Sequence, residues 1–192
     1  MTDNKQEKAK WLRLLRSRDH AAFVEFVEKY KERVFLCCLT LGLKEHEAED
    51  AASETFLAAY RRISQFRGRA ELGTWLWRIA YCTAINYLRK KHRRHQLLTV
   101  LNTKLVRING SHPQTEAQSK EKEEIVWQAV TQLPRLWALA VVLYYREDKN
   151  VKDIAKIMRT KQNTIKTYLF RARKRLQELL ADALGDDVYV SE

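Results

Sequence analysis

The stretch NVKDIAKIMRTKQNTIKTYLFRARKRL, residues 150–176, decides the fold of the second half of this chain. Asn150 is a good N-cap, and Asp153 at the third helical position can interact with the free amides of the first turn. A short apolar stripe follows and is broken at residues 159–161, after which a strongly basic helix begins. Two short helices joined by a three-residue turn, the second of them basic, predict a helix-turn-helix.

The second of these helices has two contrasting faces. Its apolar face consists of Ile165, Leu169, Ala172 and Leu176. The opposite face, here called the recognition face, consists of Asn163, Lys166, Thr167, Phe170, Arg171 and Lys174. A solvated face on a plain helical hairpin is the alternative, but a solvated face rarely needs an aromatic residue such as Phe170. We therefore interpret the recognition face as DNA-binding, although Arg159 stands where such turns often have glycine.

The positive charge of the chain is concentrated in two blocks. Its 192 residues include 36 Lys and Arg against 24 Asp and Glu, a net charge of +12. Residues 1–95 and 125–180 each carry a net charge of +8, residues 96–124 are neutral, and residues 181–192 carry −4. This distribution predicts two polyanion-binding domains with a flexible linker at 96–124 between them. We expect the acidic tail at 181–192 to be disordered rather than folded back on a basic domain.

Nothing in the sequence indicates an enzyme, a metal protein or a membrane protein. The three cysteines, Cys37, Cys38 and Cys82, form no CxxC pair, and no four Cys or His residues have metal-ligand spacing, so no metal or other cofactor is expected. No carboxylates cluster around a metal position, and no nucleophile lies beside a base. The longest apolar runs are too short to span a membrane and the N-terminus is polar, which predicts cytoplasmic residence without membrane insertion.

The apolar spacing is helical nearly throughout the chain. Only 5 glycines and 2 prolines occur, which leaves little room for sheets with tight turns. Besides the helix-turn-helix, the spacing predicts a short helix around Trp11, a helix from Phe23 that closes at Gly42, and helices at about 45–63, 72–94, 125–132 and 134–145. The predicted fold class is therefore all-α, as two small helical domains at residues 1–95 and 125–180.

Three carboxylates recur at helical spacing in the segment HEAEDAASETF, residues 46–56. Glu47, Asp50 and Glu54 form this acidic stripe, while the alanines of the segment face elsewhere. Phosphate would repel the stripe, so it cannot serve DNA binding. It is either a solvated face or a docking face for a basic protein partner.

An aromatic–arginine block follows at residues 66–95, FRGRAELGTWLWRIAYCTAINYLRKKHRRH. Unpaired bases need stacking surfaces next to phosphate-neutralising charge, and this block offers both. Some of its rings must belong to the core. The spacing of Trp75 with Leu72 and Ile79 predicts a core position for that ring, and we expect Trp77 and Tyr81 to be exposed.

The order and spacing of these motifs resemble a bacterial RNA polymerase sigma factor of the extracytoplasmic-function (ECF) type, a two-domain group. Sigma domain two is resembled by AEDAASETF at 48–56, FRGRAELGTWLWRIA at 66–80 and INYLRKK at 85–91. Sigma domain four is resembled by LP at 133–134, DIAKIM at 153–158 and NTIKTYLFRARKRL at 163–176. The resemblance covers roughly residues 20–94 and 125–180.

The resemblance implies a role for each surface. The acidic stripe (Glu47, Asp50 and Glu54) would dock on the clamp coiled coil of the polymerase β′ subunit. Melted −10 DNA would contact Phe66, Arg67, Arg69, Trp77, Arg78, Tyr81, Asn86 and Arg89. The −35 duplex would contact Asn163, Lys166, Thr167, Phe170, Arg171 and Lys174. Domain four would also pack on the flap of the β subunit, and an anti-sigma factor would control the protein.

A simple helix-turn-helix repressor is the competing interpretation. It accounts for the C-terminal block but leaves the acidic stripe and the aromatic–arginine block without a function. A repressor should bind operator duplex alone, whereas a sigma factor should need core polymerase for stable promoter binding.

Overall fold

A computed structural model of the chain describes residues 2–68, 70–99 and 119–184, and within them the side chains of 9–68, 70–93 and 125–181. The helices are α1 Thr2–Arg16, α2 His20–Thr40, α3 Glu45–Arg62, α4 Leu72–Thr99, α5 Ser119–Thr131, α6 Arg135–Val141, α7 Val151–Ile157 and α8 Gln162–Leu184. A 3-10 turn, Ile63–Gln65, extends α3, and a π-helical turn, Val142–Arg146, extends α6. No strand occurs in these described ranges, and the predicted all-α fold class is confirmed.

The contacts divide the chain into two compact units, one built around α1–α4 and the other around α5–α8. In the first unit, Phe26, Val34 and Cys38 of α2 are completely buried, as their helical spacing predicts. Burial raises the pKa of the Cys38 thiol to about 12, so this cysteine stays a neutral core side chain. Gly42 ends the second helix in the left-handed region, with φ of 87°, and serves as the predicted C-cap.

The packing of α3 on α4 depends on small side chains. Ala48, Ala51 and Ala59 of α3 are completely buried, and α3 and α4 lie in direct contact. The Thr55 hydroxyl, also buried, donates to the Ala51 carbonyl at 2.7 Å, so this hydroxyl is not left unpaired. The acidic stripe lies beside this packed face, and two of its members, Glu47 and Glu54, contact side chains of α4.

The second unit is organised around α8, which contacts α5, α6 and α7. Ile165, Leu169 and Ala172 of α8 are buried, and they pack with a core that includes Leu139 of α6 and Ile154 of α7. The apolar face predicted from the sequence is thus the face that α8 buries.

The helix-turn-helix is formed by α7, a short turn and α8. The Asn150 side chain accepts a hydrogen bond from the Asp153 backbone N–H at 2.9 Å, which confirms the predicted N-cap of α7. Arg159 takes the left-handed conformation, with φ of 53°, and the Thr160 N–H closes the turn on the Ala155 carbonyl at 3.0 Å. Arg159 therefore adopts the left-handed backbone conformation for which such turns often use glycine, at a cost of about 1–2 kcal/mol.

Helix occupies both ends of the segment predicted as linker, 96–124. α4 continues to Thr99 because no glycine or proline interrupts it. α5 begins at Ser119 because its polar first residues are good helix formers. These residues have no apolar periodicity, so the sequence pattern did not predict this part of the helix. Likewise α8 reaches Leu184, within the predicted acidic tail at 181–192. The rest of the predicted linker and tail, residues 100–118 and 185–192, lies outside the described residues.

None of the helices in the described residues is both long and apolar enough to cross a membrane.

Candidate nucleic-acid and polymerase interfaces

The recognition face of α8 is open to solvent. Asn163, Lys166, Thr167, Phe170, Arg171 and Lys174 are all exposed. Phe170 retains 69 % of its accessible surface although Leu169, its neighbour, is buried. Burying an exposed phenylalanine stabilises a complex by about 1.5–3 kcal/mol. The fold itself does not use this ring, so the recognition face has the composition of a binding surface.

Arg171 lies at one edge of the recognition face. Its guanidinium carbon is 6.0 Å from the ring centroid of Trp137 on α6, within cation–π range. Trp137 is half-buried, so part of its ring is accessible beside Arg171. The Thr167 hydroxyl donates to the Asn163 carbonyl at 2.9 Å, so its oxygen lone pairs are the part available to a ligand.

A cleft beside the helix-turn-helix turn carries further positive charge. It is lined by Lys152, Lys156, Arg159 and Lys161, together with Thr160 and Asn163. Lys156 forms an ion pair with Asp153 at 3.0 Å. Two of these cations come from α7 and two from the turn that follows it, so no single helical period reveals them in the sequence. The basic surface therefore extends beyond the predicted recognition face.

The acidic stripe has one member that is engaged within the protein. Glu47 is bound by Lys91 of α4 at 2.8 Å and accepts the Lys44 backbone N–H at 2.8 Å. Burial raises the pKa of Glu47, but the hydrogen bonds and the Lys91 charge outweigh it, so the pKa lies below its usual value. Glu47 thus joins α3 to α4, and a partner could reach it only by competing with Lys91.

The other two carboxylates are exposed, and an apolar residue lies beside them. Burial, and then the nearby charges of Glu54 and Asp50, raise the pKa of Tyr87, whose hydroxyl is hydrogen-bonded to Glu54. Leu57 follows Glu54 by three residues and Asp50 by seven, and retains 56 % of its surface. Leu57 was not singled out from the sequence, although its spacing from Asp50 and Glu54 is the signal that places it on this face.

The aromatic–arginine block corrects the expectations for its rings. Trp77 is only 1 % exposed, so the prediction that it lies free for base stacking is wrong. Trp75, expected in the core, is half-buried and packs on the buried ring of Phe66 with centroids 5.3 Å apart. Tyr81 is half-buried as well. The buried arc of α4 is wider than one apolar stripe, because Ala80 and Ala84 extend it to the side that carries Trp77.

The polar residues of this block lie on the accessible side of α4 or before it. Arg67, Arg78, Asn86 and Arg89 are exposed, and Arg69 lies outside the described residues. At helical spacing, Trp75 shares a face with Arg78 and with Cys82. The ring placed beside exposed arginine is therefore Trp75 rather than Trp77. Within the described part of the chain, no three His, Cys, Asp or Glu side chains are grouped to hold a metal.

The chain matches two protein families in the order expected from its motifs. Residues 26–94 match Sigma-70 region 2, and residues 123–176 match Sigma-70 region 4. The first match contains the acidic stripe and the aromatic–arginine block, and the second contains the helix-turn-helix. Members of these families initiate transcription and are not enzymes, in agreement with the prediction of a non-enzymatic DNA-binding protein.

Relatives and solved structures agree with these matches. The ECF RNA polymerase sigma-E factor of Haemophilus influenzae is 34 % identical, over 83 % of this chain and 87 % of the relative. SigW of Bacillus subtilis, also an ECF sigma factor, is 29 % identical over 90 % and 96 %. The fold resembles that of sigma factor RpoE of Bartonella quintana, solved with the anti-sigma factor NepR, with a TM-score of 0.59, 24 % identity and coverage of 94 % and 98 %. It also resembles CnrH, solved with the cytosolic domain of CnrY, with a TM-score of 0.60, 18 % identity and coverage of 91 % and 97 %. The chain thus has two successive sigma-region matches and an ECF relative that is 34 % identical over most of both chains. These findings establish that the protein belongs to the ECF RNA polymerase sigma factors.

Proposed function

We propose that this protein binds core RNA polymerase and directs it to promoters by recognising a −35 duplex and melted −10 DNA. The observation that carries the proposal is the exposed recognition face of α8, with Phe170 at its centre and cations around it. Since promoter DNA in bacteria lies in the cytoplasm, the protein would act there.

In this proposal α8 enters the major groove of the −35 element. Lys166 can reach guanine acceptors or phosphates, and Thr167 can accept from base-edge donors. Phe170 makes apolar contacts with groups such as thymine methyls, because its ring offers no hydrogen bond. Arg171 turns away from Trp137 to contact a guanine or a phosphate. Asn163 and Lys174 mark the two ends of the contact.

The −10 contacts would use the accessible side of α4. Arg78 and Arg89 would neutralise phosphates, and Asn86 would offer an amide to base edges. The exposed parts of the half-buried rings of Trp75 and Tyr81 would provide surface for base stacking. We leave Trp77 out of this interface since its ring belongs to the core. Phe66 is also buried, and it contributes by supporting Trp75. The exposed Arg67 precedes this surface.

Polymerase docking would use Asp50 and Glu54 around an apolar centre at Leu57. A basic partner surface such as the β′ clamp coiled coil, which the family resemblance implies, would complement the two carboxylates. Burial of Leu57 would add an apolar contact at the same place. The α5–α8 unit would pack on the β flap, again by resemblance.

An anti-sigma factor is a further proposed partner. The sigma factors RpoE and CnrH, which share this fold, were solved with NepR and with the cytosolic domain of CnrY. A regulator of this kind would hold the protein inactive by masking its polymerase- and DNA-binding surfaces.

The proposal is tested by competition for core polymerase and by promoter binding. Leu57→Ser and the double variant Asp50→Lys with Glu54→Lys should weaken core binding. Glu49→Lys, a single charge reversal of the same kind on another exposed part of α3, should not. Circular dichroism checks that each variant is folded. Equal core affinity for all four proteins would contradict the docking face. If the wild-type protein does not bind core polymerase but binds a specific DNA duplex by itself, it is a repressor and not a sigma factor.

A further inference from the structure

A cluster of two tyrosines and an arginine lies beside the recognition face and has no part in the core. The Nε–H of Arg173 on α8 donates to the Tyr145 hydroxyl at 2.7 Å. The guanidinium carbon of Arg173 is also 5.9 Å from the Tyr144 ring and 5.8 Å from the Tyr145 ring. The two rings meet nearly edge to face, 5.0 Å apart. Three contacts therefore hold one arginine in a fixed place on the surface.

The backbone that presents these tyrosines is unusual. Both belong to the π-helical turn Val142–Arg146, in which the Glu147 N–H bonds to the Val142 carbonyl at 3.1 Å. Single π-helical turns often occur at functional sites because they redirect side chains. Tyr145 keeps 55 % of its surface exposed, a large fraction for a tyrosine whose ring has two partners.

The cluster continues the recognition face. Lys166, Phe170 and Arg173 follow one another at steps of four and three residues, so they form one stripe along α8. Arg173 thus comes next to Phe170 on the side that Tyr145 covers. If Phe170 enters a DNA groove, the backbone bordering that groove would pass this end of the stripe.

The chemistry of the cluster fits a phosphate. The contact with Tyr145 uses only the Nε–H of Arg173, and the described residues supply no carboxylate ion pair to it. Its terminal N–H groups keep the fork geometry that binds phosphate oxygens in pairs. The Tyr145 hydroxyl accepts from Arg173 and still has its own proton to donate. The cluster therefore offers a fixed anion-binding fork with a hydroxyl donor beside it.

We propose that Arg173, held by Tyr145 and Tyr144, is a backbone clamp that binds one DNA phosphate next to the −35 element. This inference rests on the proposed −35 recognition by α8 and adds to it a contact that is independent of base sequence. A carboxylate of a protein partner could fit the same fork, but the continuity with Lys166 and Phe170 favours DNA.

The test measures promoter binding by holoenzyme, assembled from core polymerase and the full-length protein, over a range of salt concentrations. One lost phosphate contact lowers the salt slope by about 0.9. The affinity deficit of Arg173→Ala should therefore shrink about 3.5-fold between 50 and 200 mM salt. Arg173→Lys should restore the slope because it restores the charge. Tyr145→Phe should weaken binding less than Arg173→Ala and add little to it in the double variant.

Arg175→Ala is the matched control, because Arg175 is exposed on the same helix but is paired with Glu178 at 2.8 Å. It should change the salt slope less than Arg173→Ala does. The preference for the −35 element over a scrambled sequence should be the same in Arg173→Ala and wild type. Equal slopes for the two alanine variants, with wild-type −35 preference intact, would overturn the clamp alone. Weaker core binding with unchanged DNA binding in Arg173→Ala would show a protein contact and also overturn it. A wild-type holoenzyme without −35 preference would overturn the proposed function together with the clamp.

Discussion

Replacing Trp77 separates a structural role of the aromatic–arginine block from a DNA-binding role. The side chain is 1 % exposed, and removing a large aromatic from a core typically costs about 3–5 kcal/mol. That loss is a large part of the roughly 5–15 kcal/mol that holds a typical domain together. In a domain of this size each kcal/mol shifts the melting temperature by about 4–8 °C. Trp77→Ala should therefore lower the melting temperature of the α1–α4 unit by at least about 12 °C, or unfold it.

Trp77→Phe gives a sharper test, because the indole N–H of Trp77 is buried without a hydrogen-bond partner among the described residues. An unpaired buried donor costs about 1–3 kcal/mol, and phenylalanine removes it while keeping most of the ring. The gain offsets part of the lost volume, so the net loss should be about 1 kcal/mol. Promoter opening should stay at the wild-type level, since a buried ring cannot stack on a base.

Thermal unfolding followed by circular dichroism, with permanganate footprinting of the open promoter, checks both variants. Arg78→Ala is the control for stability, because an exposed residue on the same helix should change it by no more than about 0.5 kcal/mol. The reasoning is refuted if Trp77→Ala is as stable as Arg78→Ala. It is also refuted if Trp77→Phe stays folded but no longer opens the promoter.

Three further predictions concern helix ends and charge. Asn150→Ala should destabilise the α5–α8 unit by about 1 kcal/mol in thermal unfolding, whereas Asn150→Asp keeps the capping acceptor and should not; equal losses would argue against the cap. Arg159→Gly should be about 1 kcal/mol more stable than Arg159→Ala, since only glycine takes this backbone conformation without strain. A more stable alanine variant would contradict that explanation. Because its pKa is lowered, Glu47 stabilises the fold above its usual pKa of 4.5, and this contribution is lost as the pH falls through the lowered value. Urea unfolding at several pH values should show a shallower acid-side loss for Glu47→Gln, and an unchanged loss would exclude the Lys91 ion pair as its cause.

The helix-turn-helix could be predicted from the sequence because local rules determine it. Asn150 caps α7 by a contact with a residue three positions away, and the faces of α8 follow from helical spacing. Arg159 could be noticed as an unusual turn residue, but its left-handed conformation follows from the geometry of the whole turn. Local propensity and tertiary packing favour the same structure here.

The aromatic–arginine block and the acidic stripe could not be resolved in this way. Whether Trp75 or Trp77 is buried depends on how much of α4 its neighbours cover, and α4 is covered on more than one side. Glu47 belongs to a helix-spaced stripe in the sequence, but its partner Lys91 lies 44 residues away, and no periodicity brings the two together. The Arg173 cluster likewise depends on the π-helical turn Val142–Arg146. In the sequence this turn cannot be told from a continuation of α6, so the positions of Tyr144 and Tyr145 could not be predicted.

The central claim, that the protein gives core polymerase its promoter specificity, is tested most directly by mapping transcript starts in vitro. Core polymerase from the same organism would transcribe fragmented genomic DNA alone, with the wild-type protein, or with the Phe170→Ala variant. We expect new starts that appear only with the wild-type protein and share a −10 and a −35 motif, and we expect those starts to weaken with the variant while its core binding is unchanged. Identical starts with and without the wild-type protein would contradict the account.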